Sequence, residues 1–347
     1  MKLYLIDPHD ERLYKNNLFN TDLDPNFITI KKVREYLLKK GIRLDSIDLH
    51  PVEKADKIFF IDYNSFSLFG YRKSYYLQLC LNKKIVKKKM NLIIFECPVI
   101  KPENWVKKNH RYFSKIFTWN DAWVDNKKYF HFHWPQNKNG MRKKFISFKK
   151  KRFLTLINAH KTNYLPDELY SLRIAAIRYF EKTHPQDFDL YGVGWGRPLS
   201  LKFAYSSLKR GFNFFNFLKD YCQSLKGFPS YKGQVDDKYA TLSQYKFALC
   251  FENMKNIDGY ITEKIFDCFK AGCVPVYFGA KNITHYIPKQ TFIDFRNFRN
   301  FDDLYNFLKI IREGEYNDYL KNIRNFLNSK SMNQWYYQSF CRNIFLK

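Results

Sequence analysis

A chain of 347 residues has room for two ordinary domains, and its 35 Phe and 26 Tyr supply apolar material for two cores. Its 60 Lys and Arg against 33 Asp and Glu leave a net charge of +27, mostly lysine, which suits a phosphate-rich or anionic partner. The cysteines form no C-x-x-C pair and no disulfide-like spacing, and no stretch of about 18 apolar residues occurs, which argues against a disulfide-stapled secreted fold and against a membrane span.

Residues 2–6 read as a first strand, too short and too soon broken by Asp7-Pro8 to be a signal peptide. Residues 28–40 read as a helix closed by Gly41, 57–62 as a strand, 71–81 as a helix and 91–95 as a buried strand with Glu96-Cys97-Pro98 at its carboxyl end. Shorter strands follow at 114–119 and 129–134. Taken alone, Glu96 reads most simply as a solvated loop carboxylate. His131 and His133 share one face of a strand, yet no Cys, Asp or further His at ligand spacing joins them, so a metal site is rejected there. The polar, basic stretch 136–152 marks a domain boundary, giving a first domain over 1–148 and a second over 149–330, with 331–347 a separate aromatic segment.

The second domain repeats the alternation: a strand at 153–158, a helix at 168–182 carrying Arg173 and Arg178, and a strand and turn at 187–192. Arg178 reads as a solvated helix face. The Asp187-x-Asp189 pair is the type that holds a divalent cation under a diphosphate, and alternation places it at the mouth of a strand that ends in Tyr191-Gly192. Residues 198–228 interleave Phe203, Phe212, Phe214 and Phe215 with lysines, which fits a packed helical insertion or an amphipathic element on an anionic membrane. Residues 245–251 then read as a buried strand ending in Glu252-Asn253. Thr262 caps a helix whose Ile265, Cys268 and Phe269 share a face, Gly272 stops it, and 274–279 is the next strand. A strand at 292–294 and helices at 301–313 and 316–327 complete the pattern. Strands alternating with helices predict α/β architecture with two doubly wound, Rossmann-like domains, and such sheets bind ligands at the carboxyl ends of their strands.

The order Tyr245-Lys246-Phe247, Phe251-Glu252-Asn253, Tyr260-Ile261-Thr262-Glu263-Lys264 and Gly272-Cys273-Val274-Pro275-Val276-Tyr277-Phe278-Gly279 resembles the donor-binding signature of family 10 glycosyltransferases, the α1,3/4-fucosyltransferases. Glu96-Cys97-Pro98 is similar to that family's Glu-Ser-Pro, with its central residue changed, and Phe113, Phe117-Thr118-Trp119 and Asp121 stand where the family has an aromatic-rich run. The resemblance implies a GT-B fold and inverting transfer of L-fucose from GDP-fucose to a hydroxyl of a saccharide acceptor. It implies Glu96 as catalytic base, Arg173 and Lys264 on the diphosphate, Glu263 on the ribose, and Asn253, Tyr260 and Thr262 shaping the donor site. No metal and no obligate cofactor are implied. A GT-B enzyme using another nucleotide sugar stays open, as does a basic nucleic-acid-binding protein, although no specific nucleic acid is expected. Family members of animals and plants carry an amino-terminal membrane anchor, so the expected type is bacterial or viral, cytoplasmic or peripheral at the inner membrane face.

Overall fold

The computed structural model describes residues 1–8, 10–22, 27–63, 74–138, 141, 146–199 and 214–346. The chain divides into two compact units, one of residues 1–138 together with 333–347, the other of residues 139–332. The aromatic segment at the carboxyl end therefore belongs to the first unit. The stretch read as a polar boundary is also partly core: Gln136, Asn137 and Lys151 are all buried.

In the first unit β1 (Lys2–Asp7), β2 (Ile42–Ser46), β3 (Lys57–Ile61), β4 (Met90–Ile94), β5 (Lys115–Thr118) and β6 (Tyr129–His131) form one sheet in the order β2-β1-β3-β4-β5-β6, with every pairing parallel. Sequence pattern missed β2, because Arg43, Asp45 and Ser46 give it a polar look. The structure buries Asp45 completely and meets its charge with Arg34, Arg43 and His50. Helix α1 (Ile28–Leu38) crosses from β1 to β2, and α2 (Tyr75–Asn82) starts on Ser74, whose hydroxyl accepts from Leu77 N. The start expected at residue 71 falls outside the described residues. Parallel neighbours cannot be joined by hairpins, so each strand is reached by a crossover and both sheet faces are covered.

The second unit holds β7 (Arg152–Ile157), α3 (Tyr170–Thr183), β8 (Phe188–Tyr191), α4 (Phe214–Leu225), α5 (Lys238–Ser243), β9 (Tyr245–Phe251), α6 (Glu263–Ala271), β10 (Val274–Phe278), β11 (Ile293–Asp294), α7 (Phe301–Ile310) and α8 (Glu313–Leu327). Its sheet, again parallel throughout, runs β11-β10-β9-β7-β8. Of the 198–228 insertion, residues 200–213 lie outside the described residues; α4 buries Phe217 and leaves Phe215 exposed. Strand order reverses between β7 and β9, and a crevice opens at the carboxyl ends of the two strands at such a point. The loops after β7 and β9 emerge there. The first unit has the matching reversal between β1 and β3.

Helix α9 (Tyr337–Ile344) packs on α1 in the first unit. Phe345 meets Phe59 at 4.6 Å and Phe340 meets Phe95 at 5.9 Å between ring centroids, so this last segment closes one face of the first sheet. In the second unit Lys151 is a buried cation with three acceptors, the carbonyls of Ser243 at 2.7 Å, Tyr245 at 3.1 Å and Gly272 at 2.9 Å. It ties the end of α5, the start of β9 and the carboxyl end of α6 together. Burial lowers its pKa, yet a ring of carbonyl oxygens favours the charged ammonium.

Candidate active site

Burial of Glu252 sets the geometry of the second unit's strand ends. The residue follows the apolar strand β9, has no exposure to solvent, and its carboxylate is met entirely by the start of the next helix. Thr262 donates its backbone N–H at 2.9 Å and its hydroxyl at 2.8 Å, and the Lys264 ammonium lies 3.0 Å away. Gly279 admits this arrangement, since a Cβ there would stand 2.5 Å from Glu252 Cγ and 2.5 Å from the Tyr277 hydroxyl. Thr262 is the N-cap of α6, and Gly272, in the left-handed region at φ 68°, ends the helix as its sequence position predicts. The sequence places Glu252 at the strand end, within the Phe251-Glu252-Asn253 part of the signature; the signal for its partnership is Thr-x-Lys at a helix start ten residues on.

Two more charges surround this ion pair. Burial would pull the Lys264 pKa down, but the carboxylates of Glu252 and Glu263 raise it above its ordinary value, so Lys264 stays cationic. Burial would raise the Glu263 carboxyl, but Lys264 and Lys238 hold it below the usual carboxylate range. Lys238 is itself paired with Asp267 at 3.0 Å. Asp237 caps α5 by accepting from Ala240 N at 2.9 Å.

Arg173 reaches the same place from α3. Its Nη2 donates at 2.6 Å to the carbonyls of both Phe251 and Glu252 and at 3.2 Å to Asn253 Oδ1. The guanidinium is thereby locked under the end of β9. Its Nε is buried with no partner among the described residues, an N–H left for a water or a ligand oxygen. Tyr260 is buried, and its carbonyl accepts from the Tyr277 hydroxyl at 3.4 Å. The second unit thus brings Arg173, Asn253, Tyr260, Thr262, Glu263 and Lys264 together at one sheet edge. The amino-terminal end of α6 and the Lys264 ammonium make that edge suited to a phosphate-bearing ligand.

A second cluster on this edge was not singled out from sequence. Gly192 takes a φ of 127° and packs so close to Asn158 that a Cβ would stand 1.9 Å from its carbonyl oxygen. The Trp195 indole donates to that same oxygen at 2.7 Å, and His160 stacks flat on Trp195 with ring centroids 4.3 Å apart. Burial pushes His160 down to about 4, so the imidazole is neutral at ordinary pH. Asn158 Oδ1 is buried without a partner among the described residues. The recurring glycines at 192, 194 and 196 after a strand were the available signal.

Glu96 sits in the first unit, partly exposed on the turn that leaves β4. Asp62, at the end of β3 with φ 55°, builds that turn: its Oδ1 accepts from Phe95 N at 2.8 Å, Glu96 N at 3.0 Å and Asn104 Nδ2 at 2.7 Å. Asp is among the few residues that tolerate a left-handed conformation, because its side chain can bond locally. The Trp105 indole donates to Glu96 O at 3.3 Å, and the Trp119 indole donates to Phe95 O at 2.8 Å. The backbone around Glu96 is therefore fixed from three directions. Cys97, the departure from Glu-Ser-Pro, is buried.

The residues set aside from a metal role have other partners. Asp187 accepts from the Tyr305 hydroxyl at 2.7 Å and Lys309 at 3.1 Å, and Asp189 accepts from the Tyr245 hydroxyl at 2.8 Å. His131 pairs with Asp121 at 3.1 Å, while His133 lies against Trp335 at 4.4 Å. Among the described residues no group of three His, Cys, Asp or Glu side chains gathers as a metal site would. No described helix is long and apolar enough to cross a membrane. Arg178, read as a solvated helix face, instead donates to the carbonyls of Gly227 at 2.8 Å and Gln223 at 2.7 Å and pairs with Glu181.

Two doubly wound units with parallel sheets, each with a strand-order reversal, define the GT-B fold class. Residues 213–344 of this chain fit the family model described as glycosyltransferase family 10 (fucosyltransferase) C-term. The α-(1,3)-fucosyltransferase FucT of Helicobacter pylori is 35% identical over 106 residues, 30% of this chain and 22% of that protein. An Arabidopsis thaliana α-(1,4)-fucosyltransferase is 36% identical over 74 residues, 21% of this chain and 18% of that protein. The matches thus span about a fifth of these relatives' length. Among solved structures, an α1,3-fucosyltransferase with GDP superposes with a TM-score of 0.51 at 14% identity, over 95% of this chain and 91% of that one. T4 phage BGT with its UDP-glucose substrate gives 0.56 at 16% identity, over 99% of this chain and 100% of that one. Both likenesses are of fold.

Proposed function

We propose that the chain is an inverting fucosyltransferase that moves L-fucose from GDP-fucose to a hydroxyl of a saccharide acceptor. The observation that carries this reading is the constellation at the end of β9, where Arg173, Glu252, Thr262, Glu263 and Lys264 assemble within or beside the family-matched segment. In this reading Glu96 takes the proton of the acceptor hydroxyl as its oxygen attacks the anomeric carbon. The bond from that carbon to the diphosphate breaks, and the electron pair leaves with GDP. Lys264, Arg173 Nε and the first N–H groups of α6 stabilise the growing negative charge, which is the usual largest contribution to such a step. Glu263 accepts from the ribose hydroxyls, and Asn253 and Tyr260 shape the pocket. Side-chain and backbone N–H groups supply the positive charge, so the proposal requires no metal. A cytoplasmic enzyme working at the inner membrane face on a lipid-linked or surface glycan, in contact with the bilayer through residues 198–228, is part of the proposal.

The test is isothermal titration with GDP, UDP and GMP, followed by turnover of GDP-fucose, GDP-mannose and UDP-glucose against a glycan array. Micromolar GDP affinity with fucose transfer is expected. Preference for UDP, or turnover of another sugar donor alone, would replace the donor assignment while keeping the class.

A further inference from the structure

The six strands of the first unit all run the same way, so their amino-terminal ends lie side by side on one edge of the sheet. Each end carries a cation. Lys2 opens β1, Arg43 is the second residue of β2, Lys57 opens β3, Lys89 immediately precedes β4, Lys115 opens β5 and Lys128 immediately precedes β6. Neighbouring strands lie about 4.8 Å apart, so this row is on the order of 24 Å long. The connections that deliver the chain to it add the exposed Lys39 and Lys40 before β2, Lys87 and Lys88 before β4, and Lys127 before β6. Of the carboxylates near this edge, Glu53 pairs with Lys83, Asp56 accepts from Leu3 N, Asp125 accepts from the backbone of residues 127–129, and Glu35 stands one turn before Lys39. Among the described residues Lys40, Lys87, Lys88 and Lys127 make no ion pair. The lysines are close enough to disfavour one another's charge, for Lys57 is lowered by burial and by Lys115 and Lys2, and Lys128 by burial and by Lys87.

Folding alone gives no reason to gather like charges, and an anionic partner relieves their repulsion. Two features select its chemistry. Leu38, 55% exposed, precedes Lys39 and Lys40, and Val86, 51% exposed, precedes Lys87 and Lys88, so apolar side chains project among the ammonium groups. The cations are lysines apart from Arg43, which is bonded to Asp45 at its own strand. Lysine is a hydrated point charge suited to a diffuse anionic layer, whereas recognition of discrete phosphates favours the arginine fork. Lysines interspersed with insertable apolar groups fit a bilayer carrying anionic headgroups.

We infer that the amino-terminal edge of the first unit's sheet, from Lys39–Lys40 across to Lys127–Lys128, is a docking surface for an anionic lipid bilayer. The surface is distinct from residues 198–228, and its test is independent of the proposed transferase activity because it needs neither donor nor acceptor. The full chain is sedimented with vesicles of phosphatidylcholine alone and of phosphatidylcholine with phosphatidylglycerol, at low and high salt. Binding only to the anionic vesicles, released by salt as the Debye length shortens from about 10 Å, is expected. Each lysine near a charged bilayer strengthens partitioning about fivefold. The triple substitution Lys40→Glu, Lys87→Glu, Lys88→Glu is therefore expected to weaken it by at least about a hundredfold, while Lys289→Glu, Lys321→Glu, Lys330→Glu in the second unit leaves most of it intact. Val86→Asp tests the apolar contribution and is expected to lower the fraction that survives high salt. Equal binding by wild type and the first triple variant would overturn the inference, as would an equal loss in the second triple variant. Failure to bind anionic vesicles together with duplex DNA binding that the first triple variant abolishes would assign the edge to nucleic acid and overturn it too.

Discussion

Replacing Lys264 with methionine separates two roles that the structure gives to one ammonium. The side chain is 23% exposed and pairs with a carboxylate, Glu252, that has no exposure at all. Removing one partner of a buried pair costs about 3–5 kcal/mol. Here Thr262 keeps its two bonds to the carboxylate, and water already reaches the ammonium, so the expected loss is about 2 kcal/mol. At about 2–4 °C per kcal/mol for a unit of this size, the second unit should melt about 6 °C lower. Glu252→Gln alone should cost less, because a partly exposed ammonium can turn to solvent. The double variant should then be more stable than the sum of the single losses implies, with a coupling of about 1 kcal/mol or more. Because the folded-state pKa of Lys264 is raised above 10.5, its contribution is complete below that value and is lost only as pH rises through the folded value, so the penalty should be equal at pH 6 and pH 9. GDP affinity, measured at 25 °C well below the melting transition, should fall tenfold or more, since a charge-assisted contact is worth about 1.5–3 kcal/mol. Additive melting losses in the double variant would refute the ion-pair argument. Unchanged GDP affinity in a folded Lys264→Met protein would refute the donor assignment.

Three other outcomes follow from the geometry. Glu96→Gln preserves shape and removes basicity, so kcat should fall by about 10² to 10⁴ with GDP affinity unchanged; near-normal turnover would place the base elsewhere. Gly279→Ala drives a methyl group into Glu252 and Tyr277, and such overpacking should cost about 1–3 kcal/mol in thermal unfolding and disturb GDP binding as well. Burial opposes ionisation of Asp45, but His50, Arg34, Arg43 and Asn16 together hold its carboxyl down to about 2. Its contribution, about 2 kcal/mol, is present above the unfolded value near 4 and lost as pH falls toward 2. Asp45→Asn should therefore lower the melting temperature of the first unit at pH 7 and leave little difference near pH 2.

Much of the second unit was legible because its local signals agree. The strand at 245–251, the Thr262 cap, the Gly272 stop and the next strand are each written in adjacent residues, and the structure forms them within a residue of expectation. What sequence reading missed depends on partners in other elements of the chain. Strand β2 looks polar until Arg34, ten or so positions upstream, is seen bonded to Asp45 at its end. Gln136 looks like linker until its backbone is found bonded to Trp335 and Tyr337. Glu252 resembles any charged strand terminus, and only the return of Thr262 and Lys264 shows why it is buried. Arg173 was expected to face a diphosphate, yet one of its nitrogens is spent on backbone carbonyls, a duty that no spacing rule indicates.

The return of residues 333–347 to the first unit has a consequence for how this molecule is made. Cys341 lies against the Val33 carbonyl across 308 positions of chain, and Phe345 packs on Phe59 inside the first core. Synthesis delivers the chain at about 5–20 residues per second. The first unit's strands are therefore complete many seconds before the segment that covers one of their faces exists. During that interval the second unit, whose strands and helices are contiguous in sequence, can finish folding first, and the unit begun earliest is completed last. Such late closure over a long loop is intrinsically slow. A released chain ending at residue 332 would have a complete second unit and a first sheet with an exposed aromatic face, the kind of surface that chaperones bind.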